Sequence, residues 1–594
     1  MNEGIRLGTA RPLPLAPRQK KKVNSKMKIR VLREKDYFRD IREMVELIGS
    51  KYEGKPAYRY RVKPHDKEAV VVNYEVLRQH IRALTTELLA RGYKGKHIAL
   101  IGKHSYSWII TYYAVLCADA VLVPLDKDWG AEELAETVKS GDCELIIADK
   151  EIEEKANKIA ELAGVATPVI IDGEGENSLE AWRALGAEKF EADSSIYFDN
   201  TIDPDKLSLL VFTSGTTGKG KGVMLSQTNF ISDLTDVIPF IDFSTRCMNV
   251  LPPHHTYGSS VSIFGQNSIG CDIYISSGVK YILKELNEHK PGHLVAVPLY
   301  VETFYRRILK GIKDSGKEKL LKFLMKLNNG FKKIGLNPFG GFFRKKILGA
   351  FGGELNMIIS GGAPLNQEMA DLFASLGVKV LNGYGITECA PILAVNHNYY
   401  IVPKSVGPVL PIVDARIDEP NEDGEGEIQV KGPNVMLGYY KDDEANAQAF
   451  TEDGYFRTGD FGKLEVRKDG ARVLYITGRL KNLIILSNGK NVYPEEIEDA
   501  LAATPGVVDV VVYEGKSRRG DAYNAIVAEI YPDKTLLEEM GIIDFKAYFQ
   551  KFVDEYNRSA PPYKKIGVLK VREEEFPKNT LRKILRRLMD MSID

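Results

Sequence analysis

A run rich in glycine and hydroxyl side chains, Thr213 to Gly222, carries the strongest chemical signal in this sequence. Its ten residues read TSGTTGKGKG and contain four glycines, four hydroxyls and two lysines. Glycines let backbone N–H groups approach a ligand closely, hydroxyls donate hydrogen bonds, and ammonium groups neutralise negative charge. The preceding apolar residues, 207–212, predict a buried strand. The run therefore predicts a polyphosphate-binding loop, whereas a merely flexible turn would not need two lysines at this spacing.

The same run comes close to the P-loop pattern of ATPases and kinases. Gly215, Gly220 and Lys221 satisfy GxxxxGK, but residue 222 is glycine where a P-loop enzyme has Ser or Thr to hold magnesium. The Val-Met-Leu that follows predicts a strand instead of the helix that a P-loop needs. A P-loop ATPase or kinase, which would release ADP, is therefore the disfavoured alternative.

Seven further motifs follow this loop in order along the chain. They are LPPHHTYG (251–258), SGGAPL (360–365), NGYGITE (382–388), YFRTGD (455–460), ITGRLKN (476–482), SNGKNVYPEEIE (487–498) and FPKNTLRKILR (576–586). Taken singly, several have an ordinary structural explanation, because histidine pairs pack in cores, carboxylates cap helices and Gly-Asp pairs form turns. Their combination and order, over roughly residues 70 to 590, make a chance match implausible.

Together these motifs resemble those of the adenylate-forming (AMP-binding) superfamily, and in particular its long-chain fatty acyl-CoA synthetases. The glycine-rich loop resembles TSGTTGxPKG, with Gly220 in place of the proline. In the last motif, Asn579 and Arg582 stand where the superfamily usually has Thr and Gly. The long-chain type is indicated by SNGKNVYP and by a basic insertion that contains the aromatic run 339–343.

The resemblance implies a nucleotide site and its metal. The ATP-binding residues would be Thr213, Ser214, Gly215, Thr216, Thr217, Gly218, Lys221, Gly362, Ala363, Pro364, Asn382, Gly383, Tyr384, Gly385, Thr387, Asp460 and Arg479. Glu388 would hold Mg²⁺, with Thr213 as a second contact. Catalysis would rest on Lys221, Thr387, Glu388 and an adenylation lysine, Lys583. For that last role, Lys578 and Arg582 remain alternatives because the final motif is altered.

The resemblance also implies the remaining parts of the site and the reaction. His255, Tyr257 and Gly258 would border the acyl pocket, Lys481 would be a hinge, and Gly489 and Lys490 would meet coenzyme A. ATP would activate a long-chain fatty acid to acyl-AMP, and coenzyme A would then accept the acyl group. An acyl carrier protein as acceptor is an alternative. A non-catalytic lipid-binding scaffold is another, but it would require degraded motifs.

The elements that must position these residues alternate between helix and strand from Tyr74 onward, which predicts a parallel or mixed sheet covered by helices. The resemblance implies an α/β fold: a large N-terminal domain of mixed sheets with helices plus a distorted β-barrel, and a small mobile α+β C-terminal domain. The predicted boundaries are a basic flexible tail at 1–33, the large domain at 34–480 and the C-terminal lid domain at 481–594.

Two basic segments are compatible either with a solvated surface or with contact to a membrane. Residues 1–33 carry ten Lys/Arg and one acid, and residues 306–346 carry thirteen Lys/Arg and two acids. In the second segment, apolar residues at helical spacing are flanked by lysines, which is typical of an ordinary surface helix and also of a helix lying on an anionic membrane. Peripheral membrane contact of a cytoplasmic protein is one prediction, and a solvated surface is the other.

Composition limits the remaining classes. The 594 residues include 81 Lys+Arg and 81 Asp+Glu, so no overall basic field favours nucleic acid as a partner. The five cysteines are sparse and never spaced as CxxC, which argues against a disulfide framework or a structural zinc site and fits a reducing compartment. Because no apolar stretch of 18 residues occurs and the N-terminus has no compact apolar core, neither a membrane span nor a secretory signal is predicted.

Overall fold

The computed structural model describes residues 31–33, 36–213, 220–314, 348–363, 365–485, 491–516, 524–578 and 584–593. Within them lie two large sheets covered by helices, a smaller antiparallel sheet, and a C-terminal module comprising residues 484–593. The predicted mixed α/β class is therefore confirmed.

The first large sheet has seven strands and leads into the predicted polyphosphate loop. Its spatial order is Gly438–Tyr439, Lys221–Ser226, Leu207–Thr213, Val121–Leu125, His97–Ile101, Cys143–Asp149 and Val169–Ile171. The last five strands are parallel, and Lys221–Ser226 runs antiparallel to both of its neighbours. The predicted strand after the loop is confirmed, and with it the departure from a P-loop, in which a helix would follow.

The second large sheet has eight strands. Its spatial order is Ile392–Val395, Lys379–Gly385, Met357–Ser360, His293–Ala296, Arg246–Asn249, Asp272–Ile275, Pro56–Tyr60 and Val70–Asn73. The six inner strands are parallel and the two outer strands are antiparallel to their neighbours. Parallel strands are covered on both faces, which is why short apolar runs such as 357–360 and 293–296 are buried throughout.

Helices connect and cover these sheets. They are Ile41–Lys51, Tyr74–Ala90, Tyr106–Cys117, Ala131–Ser140, Glu153–Ala163, Leu179–Ala192, Ser195–Phe198, Gln227–Val237, Gly265–Ser268, Ile282–His289, Pro298–Asp314, Gln367–Ser375 and Asp443–Ala449, with a π-helix at Tyr257–Phe264. Side chains that accept from the first turn fix several helix starts, for example Ser105 and the Ser226–Asn229 capping box. The helix Tyr106–Cys117 is apolar all round and is almost wholly buried in the main core.

Where a distorted β-barrel was predicted, the part of the chain that the structure describes has an open antiparallel sheet and no closed barrel. Residues 407–479 form a five-stranded antiparallel sheet in the order Gly407–Pro408, Arg472–Arg479, Phe456–Val466, Gly426–Lys431 and Asp414–Asp418. Its two outer strands do not pair with each other. Closing a barrel requires long, tilted edge strands that meet, and here one edge is only two residues long.

The C-terminal module has its own small sheet and core. A two-stranded ribbon, Ile484–Ile485 with Asn491–Val492, precedes the three-stranded sheet Val507–Lys516, Asn524–Pro532 and Val568–Val571. The helices Pro494–Ala502, Lys534–Glu539 and Phe545–Ser559 complete the module. Its apolar side chains form a cluster distinct from the main core, with Ile497, Val512 and Phe549 fully buried or nearly so.

The two predicted basic segments lie largely outside the described residues, since 1–30 and 315–346 are not described. The described part of the second segment, 306–314, ends the amphipathic helix Pro298–Asp314. Among the described residues, no helix has the length and apolar character needed to cross a membrane.

Candidate active site

A cavity of about 1110 Å³ lies at the carboxyl ends of parallel strands from both large sheets. This edge is where open α/β sheets bind their ligands. Twelve of the predicted site residues line the cavity: Thr213, His255, Tyr257, Gly362, Gly383, Tyr384, Gly385, Thr387, Glu388, Asp460, Arg479 and Lys481. The motifs that are scattered over 270 residues of sequence thus converge on one space.

Asp460 presents a buried carboxylate to this cavity in a fixed orientation. Its Oδ2 accepts a hydrogen bond from the Tyr384 hydroxyl at 2.6 Å, and its Oδ1 lies 3.0 Å from Arg479 Nε. Asp460 and Arg479 are direct partners on neighbouring antiparallel strands. Burial, followed by the Asp460 charge, raises the pKa of Tyr384, so its hydroxyl remains a donor.

Glu388 and Lys221, two residues that the sequence assigns to catalysis, are joined through Tyr439. The Tyr439 hydroxyl donates to Glu388 Oε1 at 3.0 Å, and Lys221 Nζ lies 4.7 Å from the centre of the Tyr439 ring. Burial, followed by the Glu388 carboxylate, raises the pKa of Tyr439. The Tyr439 backbone is held by Asn446, whose side-chain amide pairs with the Tyr439 N–H and carbonyl at 2.6 and 2.8 Å.

The histidine pair borders the cavity in its neutral form. The two rings lie 4.3 Å apart, and His254 Nε2 is 3.6 Å from Asp126 Oδ2. Burial lowers the pKa of His254 to about 4, and burial together with the neighbouring His254 lowers the pKa of His255 to about 3. A ring with such a pKa carries no charge at neutral pH, so His255 can shape the cavity wall but is poorly suited to proton transfer near pH 7.

Tyr257 and Gly258 begin the π-helix that closes one side of the cavity. The Tyr257 hydroxyl reaches the carbonyls of Ala296 and Ile359, at 3.3 and 3.2 Å, and so ties the helix to the ends of two parallel strands. At Gly258, a Cβ atom would lie 2.1 Å from the carbonyl oxygen of Pro252, so only glycine allows this close approach. π-helical turns widen a helix locally and are frequent at functional sites.

The C-terminal module supplies part of the cavity wall. Val512, Tyr513, Glu514, Ile584, Leu585, Arg586 and Met591 line it. Arg586 is anchored within the module, because its Nη1 donates to the Val512 carbonyl at 2.7 Å and its Nη2 bonds to Glu498.

Protein atoms packed around the Lys481 ammonium, and then the nearby Arg479, lower the pKa of Lys481 even though part of its side chain faces solvent.

Some predicted residues lie elsewhere. Four predicted residues that the structure describes do not line the cavity. Lys221 Nζ lies over the Tyr439 ring, Gly258 packs against the Pro252 carbonyl, the carbonyl of Asn382 accepts from the Asn396 N–H within the sheet, and Ala363 is exposed. The predicted residues Ser214, Gly215, Thr216, Thr217, Gly218, Pro364, Gly489, Lys490 and Lys583 lie outside the described residues.

Two residues of the site were not found by motif matching. Tyr439 belongs to a two-residue strand that pairs with Lys221–Ser226, and Arg586 reaches the cavity from the far end of the chain. A weak signal existed in each case, since Tyr439 follows the glycine of a Leu-Gly-Tyr-Tyr run and Arg586 ends the last motif. Only the fold shows what each of them contacts.

Known proteins similar to this chain fall into one class. A family model described as AMP-binding enzyme matches residues 47–440. Over 503 residues the chain is 28% identical to the long-chain-fatty-acid–CoA ligase FadD15 of Mycobacterium bovis, covering 77% of this chain and 81% of that protein. It is 26% identical to the chloroplastic long-chain-fatty-acid–[acyl-carrier-protein] ligase AEE15 of Arabidopsis thaliana, covering 77% and 72%. The ATP-bound crystal structure of MatB from Rhodopseudomonas palustris superposes with a TM-score of 0.72, at 26% identity, over 93% of this chain and 98% of that one.

Proposed function

This chain belongs to the AMP-binding enzyme family, and on that premise we propose that it is a long-chain fatty acid–CoA ligase. It activates the fatty acid with ATP to an acyl-adenylate, transfers the acyl group to coenzyme A, and releases AMP and pyrophosphate. The observation that supports this most directly is the convergence of Thr213, Glu388, Asp460 and His255 on one cavity. The nucleotide motifs and the acyl-pocket motif therefore share a single space.

The first step forms a mixed anhydride. A carboxylate oxygen of the fatty acid bonds to the α-phosphorus of ATP, and the bond from that phosphorus to the α,β-bridging oxygen breaks, so pyrophosphate leaves. No general base is required, because a carboxylic acid is already ionised at neutral pH. Catalysis then depends on positioning and on neutralising phosphate charge, for which we assign Lys221, Thr387 and Lys583.

Glu388 and Thr213 suit the Mg²⁺ that accompanies ATP. Both line the cavity, and both offer the oxygen ligands that Mg²⁺ takes in proteins. Glu388 is kept in place by the Tyr439 hydroxyl at 3.0 Å. Bound there, the ion would neutralise charge on the phosphate oxygens.

Asp460 is suited to the ribose of the nucleotide. A carboxylate can accept hydrogen bonds from two vicinal hydroxyls. The contacts from Tyr384 and Arg479 fix the orientation of the Asp460 carboxylate at the cavity wall. We assign Arg479 to the same nucleotide site. Tyr384 lies beside this carboxylate, at the position we assign to the adenine.

The second step transfers the acyl group to a thiol. The sulfur of coenzyme A bonds to the acyl carbon, the bond from that carbon to the AMP oxygen breaks, and the thiol proton passes to solvent. We propose that residues 481–594 form a lid that rotates about Lys481 relative to a body at 34–480. Lys583 would then serve adenylation, and Gly489 and Lys490 would serve thioester formation.

The acyl substrate is proposed to be a long, apolar chain. Besides His255, the cavity is lined by apolar side chains, namely Val237, Ile241, Phe243, Val261, Ile359, Ile392 and Val395. Ligand sites lined mainly by apolar side chains bury apolar ligands. Because such a substrate partitions into lipid, we further propose contact of segment 306–346 and the basic tail with an anionic membrane face.

An acyl carrier protein is a second candidate acceptor. It is favoured by one observation, the 26% identity to a relative that is named as a ligase for that acceptor. Both acceptors present a thiol on a flexible arm, and both react only after adenylation. The adenylation step is therefore the same for either acceptor. The acceptor is identified by supplying coenzyme A or holo-acyl carrier protein in separate assays with the same fatty acid and measuring which thioester forms.

The test of the proposed function is a panel of acids assayed with ATP and coenzyme A, in which AMP and acyl-CoA are quantified together. Saturated and unsaturated fatty acids of increasing length should give equal amounts of both products. Aryl acids and amino acids serve as controls and should give neither. A response to aryl or amino acids but not to fatty acids would refute the substrate class, and ADP in place of AMP would refute the chemistry.

A further inference from the structure

Three buried side chains of the types that bind thiophilic metals meet within the eight-stranded sheet. They are Cys247, Cys271 and His293, with exposed fractions of 2%, 1% and 0%. One ligand atom from each, two sulfurs and an imidazole nitrogen, lies within 4.8 Å of the other two. Neither the proposed reaction nor any of its motifs uses these residues.

Strand register brings them together. Cys247 and His293 are direct partners on neighbouring parallel strands, so their side chains share one face of the sheet. Ile273 is the partner of Cys247 on the other side, and Cys271 precedes it by two residues, which returns it to that same face. Cys247 and His293 lie at the amino ends of their strands, and Cys271 directly precedes the strand Asp272–Ile275.

The hydrogen bonds around His293 leave one ring nitrogen as an acceptor. Gln266 Nε2 donates to the carbonyl of Val261 at 3.1 Å, so Gln266 Oε1 is the atom that faces His293 Nε2, at 2.8 Å. An amide oxygen only accepts, and therefore Nε2 carries the proton. With the proton on Nε2, the lone pair of the neutral ring is on Nδ1.

That lone pair competes for a single hydroxyl proton. Nδ1 lies 2.9 Å from Ser244 Oγ, but the same hydroxyl is 2.7 Å from the carbonyl of Arg246. One proton cannot satisfy both acceptors. Cys271 Sγ lies on this side too, 3.7 Å from the carbonyl of Ser244. An electron-pair acceptor placed between the two sulfurs and Nδ1 would resolve the competition.

We propose that Cys247, Cys271 and His293 bind one thiophilic divalent cation of the Zn²⁺ type, and that Ser244 Oγ, 2.9 Å from His293 Nδ1, serves as the oxygen for a fourth position. On binding, both thiols become thiolates and two protons pass to solvent. The two thiolates balance the charge of the ion, so the buried group is neutral overall, which keeps the cost of burial low. Metal–sulfur bonds of about 2.3 Å would draw the two sulfurs to about 3.8 Å. The site joins three strands, and we assign it a structural role because none of its three residues lines the cavity.

The test uses the full chain, reduced, stripped of metal with a chelator and titrated with Co²⁺ alone under anaerobic conditions. Thiolate ligands give Co²⁺ an intense near-ultraviolet charge-transfer band that oxygen ligands at Glu388 do not give. The band should saturate at one Co²⁺ per chain, disappear when Zn²⁺ is added, and accompany the release of two protons. Absence of the band from the reduced wild-type chain would overturn the proposal.

Variants assign the band to these residues. Cys247→Ser and Cys271→Ser should each weaken Co²⁺ binding at least tenfold and diminish the band, and His293→Gln should shift it. Cys143→Ser is the matched control, since Cys143 is also buried but belongs to the other large sheet. A band that persists in the Cys247→Ser/Cys271→Ser double variant refutes the site. Should that variant fail to fold, X-ray absorption of Zn²⁺ bound to the wild-type chain decides, because a first shell without sulfur would refute it equally.

Discussion

At the scale of single residues, Tyr439 contacts two charged side chains of the site, Glu388 and Lys221. Its hydroxyl donates to Glu388, and its ring faces the Lys221 ammonium at 4.7 Å. An aromatic face attracts a cation, and a phenol stabilises a carboxylate. Tyr439 therefore holds the proposed metal ligand and the proposed phosphate-binding lysine at a set separation without pairing them directly. A direct ion pair between the two would compete with ATP and Mg²⁺.

The substitution Tyr439→Phe keeps the ring and removes the hydrogen bond to Glu388. Because a hydrogen bond to a charged group contributes about 1.5–3 kcal/mol, we expect fatty-acid-dependent pyrophosphate release to slow about tenfold or more. The Mg²⁺ concentration for half-maximal rate should rise as well. Tyr440→Phe is the matched control, since the neighbouring hydroxyl bonds instead to Asp142 on the surface. Equal rates in the two variants would contradict the role of Tyr439.

The identity of the adenylation lysine also belongs to this scale. Lys578, one of the alternatives from the altered last motif, is 7% exposed and bonds to Asp509 at 2.6 Å and to Glu575 at 2.8 Å. A lysine held by two carboxylates inside the C-terminal module is poorly placed to neutralise phosphate charge. This geometry favours Lys583, which lies outside the described residues, over Lys578.

We therefore expect Lys583→Ala to abolish most acyl-adenylate formation and to retain thioester formation from supplied acyl-adenylate. The reason is that an ammonium at the α-phosphate is needed only while pyrophosphate leaves. Each half-reaction is measured separately, by pyrophosphate release and by acyl-CoA formation. Lys578→Ala is the comparison and should lower the thermal midpoint more than the rate. Loss of both half-reactions to the same extent in Lys583→Ala would count against the assignment.

At the scale of elements, the π-helix Tyr257–Phe264 depends on the absence of a side chain at its first turn. A Cβ on Gly258 would stand 2.1 Å from the Pro252 carbonyl oxygen, and that atom belongs to the backbone and cannot rotate away. We expect Gly258→Ala to displace the helix start, to lower the thermal midpoint, and to reduce turnover of the longest fatty acids most, because Tyr257 and His255 border the cavity there.

The matched control for this prediction is Gly265→Ala, directly after the same helix. There the nearest atoms to a new Cβ are Leu234 Cδ2 and the Ser260 carbonyl oxygen, both at 3.3 Å. A helix interior also gains stability of roughly 0.5–1 kcal/mol from Gly to Ala. The control should therefore unfold near the wild-type temperature and keep the wild-type chain-length profile. If the two variants behave alike, the π-helix does not require the absence of a side chain at Gly258.

The sequence predicts most elements and few of the contacts between them. The strand Leu207–Thr213 was expected from the apolar residues 207–212, and the strand Lys221–Ser226 was expected from Val-Met-Leu, because period and apolar runs are local properties. The site residues at strand ends follow from the same reasoning. The contact of Tyr439 with Glu388 and the meeting of Cys247 with His293 depend instead on strand pairing over long separations, which no local pattern specifies.

At the scale of the whole molecule, buried histidines make stability depend on pH. Burial lowers the pKa values of six of them to about 4 or about 3, namely His80, His104, His254, His255, His293 and His397, and it also lowers the pKa of His289. In the unfolded chain each would titrate near its usual value of about 6.5. Between those limits the unfolded state binds more protons than the folded state, so these groups favour folding above pH 6.5 and oppose it as pH falls towards 4.

Six carboxyl groups act in the opposite direction. Burial raises the pKa of Asp149 and of Asp499 to about 6 and that of Glu498 to about 7, the last partly countered by Arg586, and it also raises the pKa values of Asp233, Glu302 and Glu425. Such carboxyls bind a proton more readily in the folded state than in the unfolded state. Their contribution to the stability of the folded chain therefore falls as pH rises from about 4 to about 7. Seven histidines outnumber six carboxyls, and carboxyls with lowered pKa values, such as Asp142 and Asp453, act in the same direction as the histidines. The net effect that we expect is acid destabilisation below pH 6.5.

We expect the thermal midpoint of the whole chain to fall steadily from pH 7 to pH 5, measured by circular dichroism at constant ionic strength. Each histidine that is protonated only on unfolding contributes about 1.4 kcal/mol per pH unit in that range. His397→Gln removes one such group, whose ring stacks on Phe240 at 4.9 Å, so the variant should be less stable at pH 7 yet show a shallower decline. His65→Gln, at an exposed position, is the control and should keep the wild-type slope. A thermal midpoint that rises between pH 7 and pH 5 would mean that the carboxyls outweigh the histidines.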